Sequence, residues 1–194
     1  MRTLRTFRRD QSGGVSTEAA FVVTLMTLVT VGLIEAGWAV QQHSSAQAAV
    51  RHGARLAATL NPVSADLESR GVATAAFDIT CDQDTRRCSQ GGFRAAAMDR
   101  ILFGPDGDAE CGAKRSERRG MCDLYGGLDV SRVSVRYVSS GLAERNASYN
   151  PAPVITVSIA ARPARTVLLG PLLPDHFTQL PGVSASLMGE DLDG

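Results

Sequence analysis

The sequence predicts an α+β protein in which one long N-terminal helix, apolar at first and amphipathic later, packs on a small antiparallel sheet. Three observations lead there. Ala19 to Ile34 carries no charge and the apolar character resumes after Glu35 as far as Val40; small and apolar residues recur at helical spacing from Ala46 to Leu60; and three C-terminal stretches alternate with period two. With 194 residues, 44% of them hydrophobic, the chain has length for one ordinary domain plus an appendage and is too apolar to be disordered throughout. Twenty Lys and Arg balance twenty Asp and Glu. That balance does not suit phosphate neutralisation, so no nucleic-acid partner is expected.

The positive charge is unevenly placed. Arg2, Arg5, Arg8 and Arg9 fall in the first ten residues, opposed only by Asp10. The apolar stretch from Ala19 to Val40 is about 22 residues, roughly 33 Å as a helix, against a hydrocarbon core of about 30 Å. One transmembrane helix follows. Arginines before it and no comparable cluster after Val40 satisfy the positive-inside rule, which puts the N-terminus in the cytoplasm and Trp38 at the far interface. A cleaved secretory signal also begins basic and turns apolar. This run is longer than a usual signal core and lacks a small-x-small site directly after Glu35, although Ser44 to Ala49 could offer one. The alternative reading is therefore an exported periplasmic enzyme or binding module with an N-terminal signal peptide.

Two carboxylates need partners or water, since a charge in the hydrocarbon costs at least about 2.5 kcal/mol. Glu35 can reach the outer interface. Glu18 has three options: cytosolic water beside Arg8 and Arg9, the ammonium of a neighbouring copy, or a new α-ammonium created by cutting inside Gly13-Gly14.

The run from Arg8 to Glu18 (RRDQSGGVSTE), the helix end Gly32-Leu33-Ile34-Glu35-Ala36-Gly37 and the tract Ala48-Ala49-Val50-Arg51-His52-Gly53-Ala54-Arg55 together resemble TadE/TadG-like proteins. Those are pseudopilins or minor pilins of bacterial tight-adherence (type IVc) pilus secretion systems. The resemblance implies a pilin-like fold and a prepilin-type signal, a short basic leader with a glycine before the cut and a glutamate at mature position five. Cutting after Gly13 makes Glu18 the fifth residue; Gly13 and Gly14 are both candidate processing positions, and Glu18 would hold charge register during assembly. Family members usually carry an aromatic after that glutamate, whereas Ala19 stands here. The implied protein is a single-pass component of the bacterial inner membrane with a periplasmic C-terminal domain. Its implied partners are the lipid bilayer, other pilins or pilus-assembly proteins, and a prepilin peptidase. A looser likeness returns at the C-terminus, in Val154 to Ile159, Leu168 to Leu173 and Val183 to Ser186.

Three regions result: 1–14, a basic cytoplasmic leader open to cleavage; 15–61, a transmembrane helix continuing as an amphipathic one; and 62–194, a periplasmic α+β domain with disulfide-bearing loops. In the second, Ala46, Ala49, Val50, Gly53, Leu56, Ala57 and Leu60 share one helical face opposite Gln47, Arg51 and Arg55. Pro62 disfavours helical geometry at Asn61 and supplies a stop. In the third, Ala65 to Ala76 is a poorly patterned short helix, and Gly92 to Leu102 a better one that Gly104-Pro105 ends. Val133 to Tyr137, Ile155 to Ile159 and Val183 to Leu187 read as three half-buried antiparallel strands. Between the last two, Arg162 to Pro181 is a long, apolar, proline-punctuated loop that either meets a partner or folds back as core. Residues 61 to about 130 otherwise match no pattern.

Cys81, Cys88, Cys111 and Cys122 lie on the side placed outside the cytoplasm, where disulfides persist. Two bridges are expected. Three pairings are open, and Cys81 with Cys88 and Cys111 with Cys122 is the local one. Neither pair has the two-to-four-residue gap of structural zinc sites. Asp106, Asp108, Glu110 and Glu117 partly imitate a calcium loop, but Cys111 replaces the required glycine and Arg115, Arg118 and Arg119 would repel a cation. His43, His52 and His176 are scattered singly, His52 reading as solvated, and no nucleophile or phosphate-loop motif presents itself. Neither a catalytic residue, a metal site nor a cofactor is expected.

Overall fold

The computed structural model describes residues 12–69, 76–105, 111, 119–139, 153–164 and 179–189. The chain divides into two units, one of residues 1–40 with 165–178 and one of residues 41–164 with 179–194. Helix α1, Ser12–Thr59, contributes to both. It ends where the sequence withdraws support: Leu60 N–H still donates to Leu56 O at 2.9 Å, and Pro62 follows.

The second unit is built on an antiparallel sheet of five strands, β1 (Asp78–Asp82), β2 (Arg87–Cys88), β3 (Val133–Ser139), β4 (Pro153–Ile159) and β7 (Val183–Met188), in the order β2-β1-β3-β4-β7. Alternation sets its two faces. Ile79, Cys81, Val133, Val135, Tyr137, Ile155, Val157 and Ile159 are buried on one face, and Ala46, Ala49, Val50, Ala54, Ala57 and Ala58 of α1 join the same core. Small side chains on the helix let it lie close on the β-branched surface of the sheet. The other face is hydroxyl-rich, and its register pairs are hydrogen-bonded: Ser134 with Ser158 and Thr156 with Ser186, each at 2.8 Å. Arg136 and Asp78 pair across β3 and β1 on this face, the guanidinium Nε donating at 2.7 Å. That guanidinium holds the Asp78 carboxyl below the usual carboxylate range.

Three short helices pack around the core: α2 (Ala65–Ser69), α3 (Ala95–Phe103) and α4 (Met121–Leu124). α3 buries Ala97, Met98, Ile101 and Leu102, a three-to-four spacing, and ends at Gly104 with φ 114°. The α1–α2 connection is knitted to the segment before α3. Ala65 N–H donates to Gly92 O at 2.8 Å, Arg94 N–H to Val63 O at 2.8 Å, and the buried Tyr137 hydroxyl accepts Val63 N–H at 3.1 Å.

Two expectations change. Part of the unassigned region 61–130 forms β1 and β2, whose signal is the alternation of Phe77, Ile79 and Cys81 with Asp78, Thr80 and Asp82. The ends of the Arg162 to Pro181 segment are not loop: β5 (Arg162–Pro163) pairs with β6 (Gln179–Leu180), while 165–178 lies outside the described residues.

Candidate functional site

From residue 16 to Val40, α1 has apolar side chains on every side. Phe21, Val22, Val23, Leu25, Met26, Leu28, Val29, Leu33, Ile34, Trp38 and Val40 are all more than half exposed. Consecutive positions cover the whole circumference, so the helix has no polar side to turn to water. It is the one helix among the described residues long and apolar enough to cross a membrane, and none of its most apolar stretch is buried. The threonines within it are internally satisfied: Thr24, Thr27 and Thr30 donate to the carbonyls of Ala20, Val23 and Met26 at 2.7–2.8 Å. A hydroxyl bonded back into its own helix can face hydrocarbon without an unpaired polar group. Gly13 and Gly14 lie in the first turn of α1, nothing among the described residues stands within 4 Å of a Cβ placed on Gly14, and Glu18 is exposed one turn on. Glu35 is partly buried. Arg2, Arg5, Arg8 and Arg9 lie outside the described residues.

Cys81 and Cys88 face each other in the β1–β2 register and are joined by a disulfide. Between them Asp82 Oδ1 accepts the N–H groups of Asp84 and Thr85 at 2.9 and 3.1 Å, turning the chain. The other two cysteines differ from the expected second bridge. Cys111 is an exposed thiol and Cys122 a buried one, and the two stand close enough for Cys111 to act on the Cys122 thiol. Burial, then the Cys111 contact, pushes the Cys122 thiol up to about 12. Cys122 belongs to α4, which sits close to its neighbours: Met121 Sδ would be 2.4 Å from a Cβ on Gly53 of α1.

Sequence reasoning missed Arg162, a lone arginine beside a proline with nothing to mark it. It is only 4% exposed, its guanidinium carbon lies 4.7 Å from the centre of the Tyr125 ring, and Nε donates to Tyr125 Oη at 3.0 Å. Nη2 donates to Gln42 O at 3.2 Å, tying β5 to α1. His52 is not merely solvated: its Nε2 lies 2.6 Å from the Arg119 carbonyl oxygen. His43 lines a cleft of about 240 Å³ beside Gln47, Arg51 and Ser184. Asp106, Asp108, Glu110, Glu117 and His176 lie outside the described residues. Among the described residues no three His, Cys, Asp or Glu side chains are placed to hold a metal ion.

These features define a class: one N-terminal helix with apolar side chains on every side, continuous in sequence with an α+β domain whose sheet rests on the helix's own C-terminal half. Residues 13–55 match the family model of TadE-like proteins. The match covers the apolar helix and most of its amphipathic continuation, and the sheet lies beyond it. No curated protein and no solved structure matches the chain.

Proposed function

We propose that the chain is a membrane-anchored structural component, a pseudopilin or minor pilin, in the assembly of a Tad-type pilus or secretion apparatus. The observation that carries this reading is the coincidence of the all-round apolar helix with the segment that matches TadE-like proteins. The helix lodges in the inner membrane with Arg2 to Arg9 in the cytoplasm, and the sheet domain stands in the periplasm. The Cys81–Cys88 disulfide supports that compartment. A prepilin peptidase cuts at Gly13 or Gly14, where two glycines weaken the first helical turn. Glu18 then pairs with an α-ammonium, its own or a neighbour's, and sets the register in which copies or other pilins pack along α1. The protein's role is mechanical rather than catalytic.

The test is intact mass of the protein from its native membrane, with assembly followed in a Glu18→Gln variant. Loss of the leader and failure of the variant to enter the assembly are expected. An intact N-terminus together with normal assembly of the variant would contradict both processing and register.

A further inference from the structure

We propose that the cleft between α1 and the entry to β7 binds a phosphate oxyanion. His43, Gln47 and Arg51 follow one another at intervals of four along α1, so they form one stripe, and Gly182, Val183 and Ser184 make the opposite wall. Gly182 keeps that wall tight, because a Cβ there would stand 3.1 Å from the Ile159 carbonyl oxygen. Among the described residues the cleft offers donors and no carboxylate: a guanidinium, an amide, a hydroxyl and an imidazole.

The imidazole makes the demand specific. Gln47 Nε2 lies 3.0 Å from His43 Nε2. With the Gln47 amide nitrogen as the donor, this ring nitrogen accepts, and Nδ1 is the ring position left to donate. That Nδ1 is buried and has no hydrogen-bond partner among the described residues. A buried polar nitrogen without a partner costs about 1–3 kcal/mol, and a turn of the ring that brings it to the cleft would let an anionic oxygen satisfy it. Arg51, a permanent cation with a planar fork of donors, suits phosphate in particular.

Two sources share this chemistry, a phospholipid headgroup and free phosphate. His43 follows Val40, the last apolar residue of the span, by three residues, less than one helical turn. That proximity in sequence favours the headgroup. The lipid source rests on the membrane-anchor reading, whereas the phosphate chemistry does not.

The experiment uses the full-length protein in a maltoside detergent. Native mass spectrometry measures retention of phosphatidylglycerol against a phosphate-free galactosyl diacylglycerol, and calorimetry measures binding of inorganic phosphate. Arg51→Gln is compared with Arg55→Gln, which removes an exposed arginine one turn on that does not line the cleft. Preferential retention of the phospholipid, falling about tenfold or more in Arg51→Gln and unchanged in Arg55→Gln, is expected from the loss of a charged hydrogen bond. Arg51-dependent binding of inorganic phosphate without lipid preference would keep the oxyanion site and remove the headgroup as its source. Absence of binding by both probes, or equal binding by the two variants, would overturn the proposal, and neither result bears on whether the helix spans a membrane.

Discussion

Gly120 and Gly53 show how closely the small helices are seated and how differently two glycines can respond. A methyl group on Gly120 would have backbone as its nearest neighbours, at 2.4 Å from the Phe103 carbonyl carbon and 2.5 Å from Gly104 N and Leu102 O. At Gly53 it would meet the Met121 side chain, which can swing aside. Gly120→Ala should therefore destabilise by about 2–3 kcal/mol and Gly53→Ala by about 1 kcal/mol in urea titrations of the full chain in detergent. The reverse order would contradict this packing. Two buried acids make the fold alkali-sensitive. Burial pushes the Tyr137 hydroxyl up to about 12, against the pull of the Val63 hydrogen bond, and Cys122 is raised similarly. Unfolded, they titrate near 10.0 and 9.0. Between those values and about 12 the unfolded chain releases protons that the folded chain retains, so stability, complete below about pH 9, falls as pH rises toward 12. Tyr137→Phe should flatten that fall above pH 10 while costing about 1–2 kcal/mol at neutral pH, because Val63 N–H loses its acceptor; circular dichroism across an alkaline titration reads both. Little of this was legible in the sequence. Tyr137 announces an inward position by alternation, but neither Arg162 on Tyr125 nor His52 on the Arg119 carbonyl could be foreseen, since each contact joins distant segments with no periodic pattern.

The elements were easier to read where one period ran long enough. β3, β4 and β7 each alternate over at least five residues, and α1 repeats small residues from Ala46 onward, so their faces follow from spacing alone. β1 alternates as well, but its strand ends in a polar turn flanked by cysteines, and β2 has only two residues, too few to carry a pattern. The disulfide holds that short strand. Replacing Cys81 and Cys88 together by serine should cost about 2–3 kcal/mol, the chain-entropy value for so short a loop, and should raise hydrogen exchange of β1 and β2 before that of β4. Unchanged stability would mean that the strand pairing stands without its covalent link. On α1 the close approach to the sheet depends on side-chain size. Ala54 is completely buried and Arg55 beside it is exposed, so Ala54→Asp should abolish cooperative folding of the second unit while Arg55→Asp leaves it nearly intact, a contrast readable by thermal denaturation.

At the level of the whole molecule, an apolar helical surface with no polar side needs a non-aqueous neighbour, and a bilayer supplies one along the full length of residues 19–40. The likeness to TadE-like proteins falls on that same segment, so the family resemblance speaks to the apolar helix and its continuation, whereas the sheet was legible only through its own alternation. The threonines bonded back into the helix and the donor-lined cleft beginning at His43 are consistent with a chain that passes from lipid to water within a single element. The most direct measurement is alkaline carbonate extraction of native membranes followed by intact mass of the protein recovered. Permanent anchoring requires the protein in the membrane pellet with residues 19–40 still attached, whether or not the leader has been removed. A water-soluble product that starts near Gln47 would contradict it.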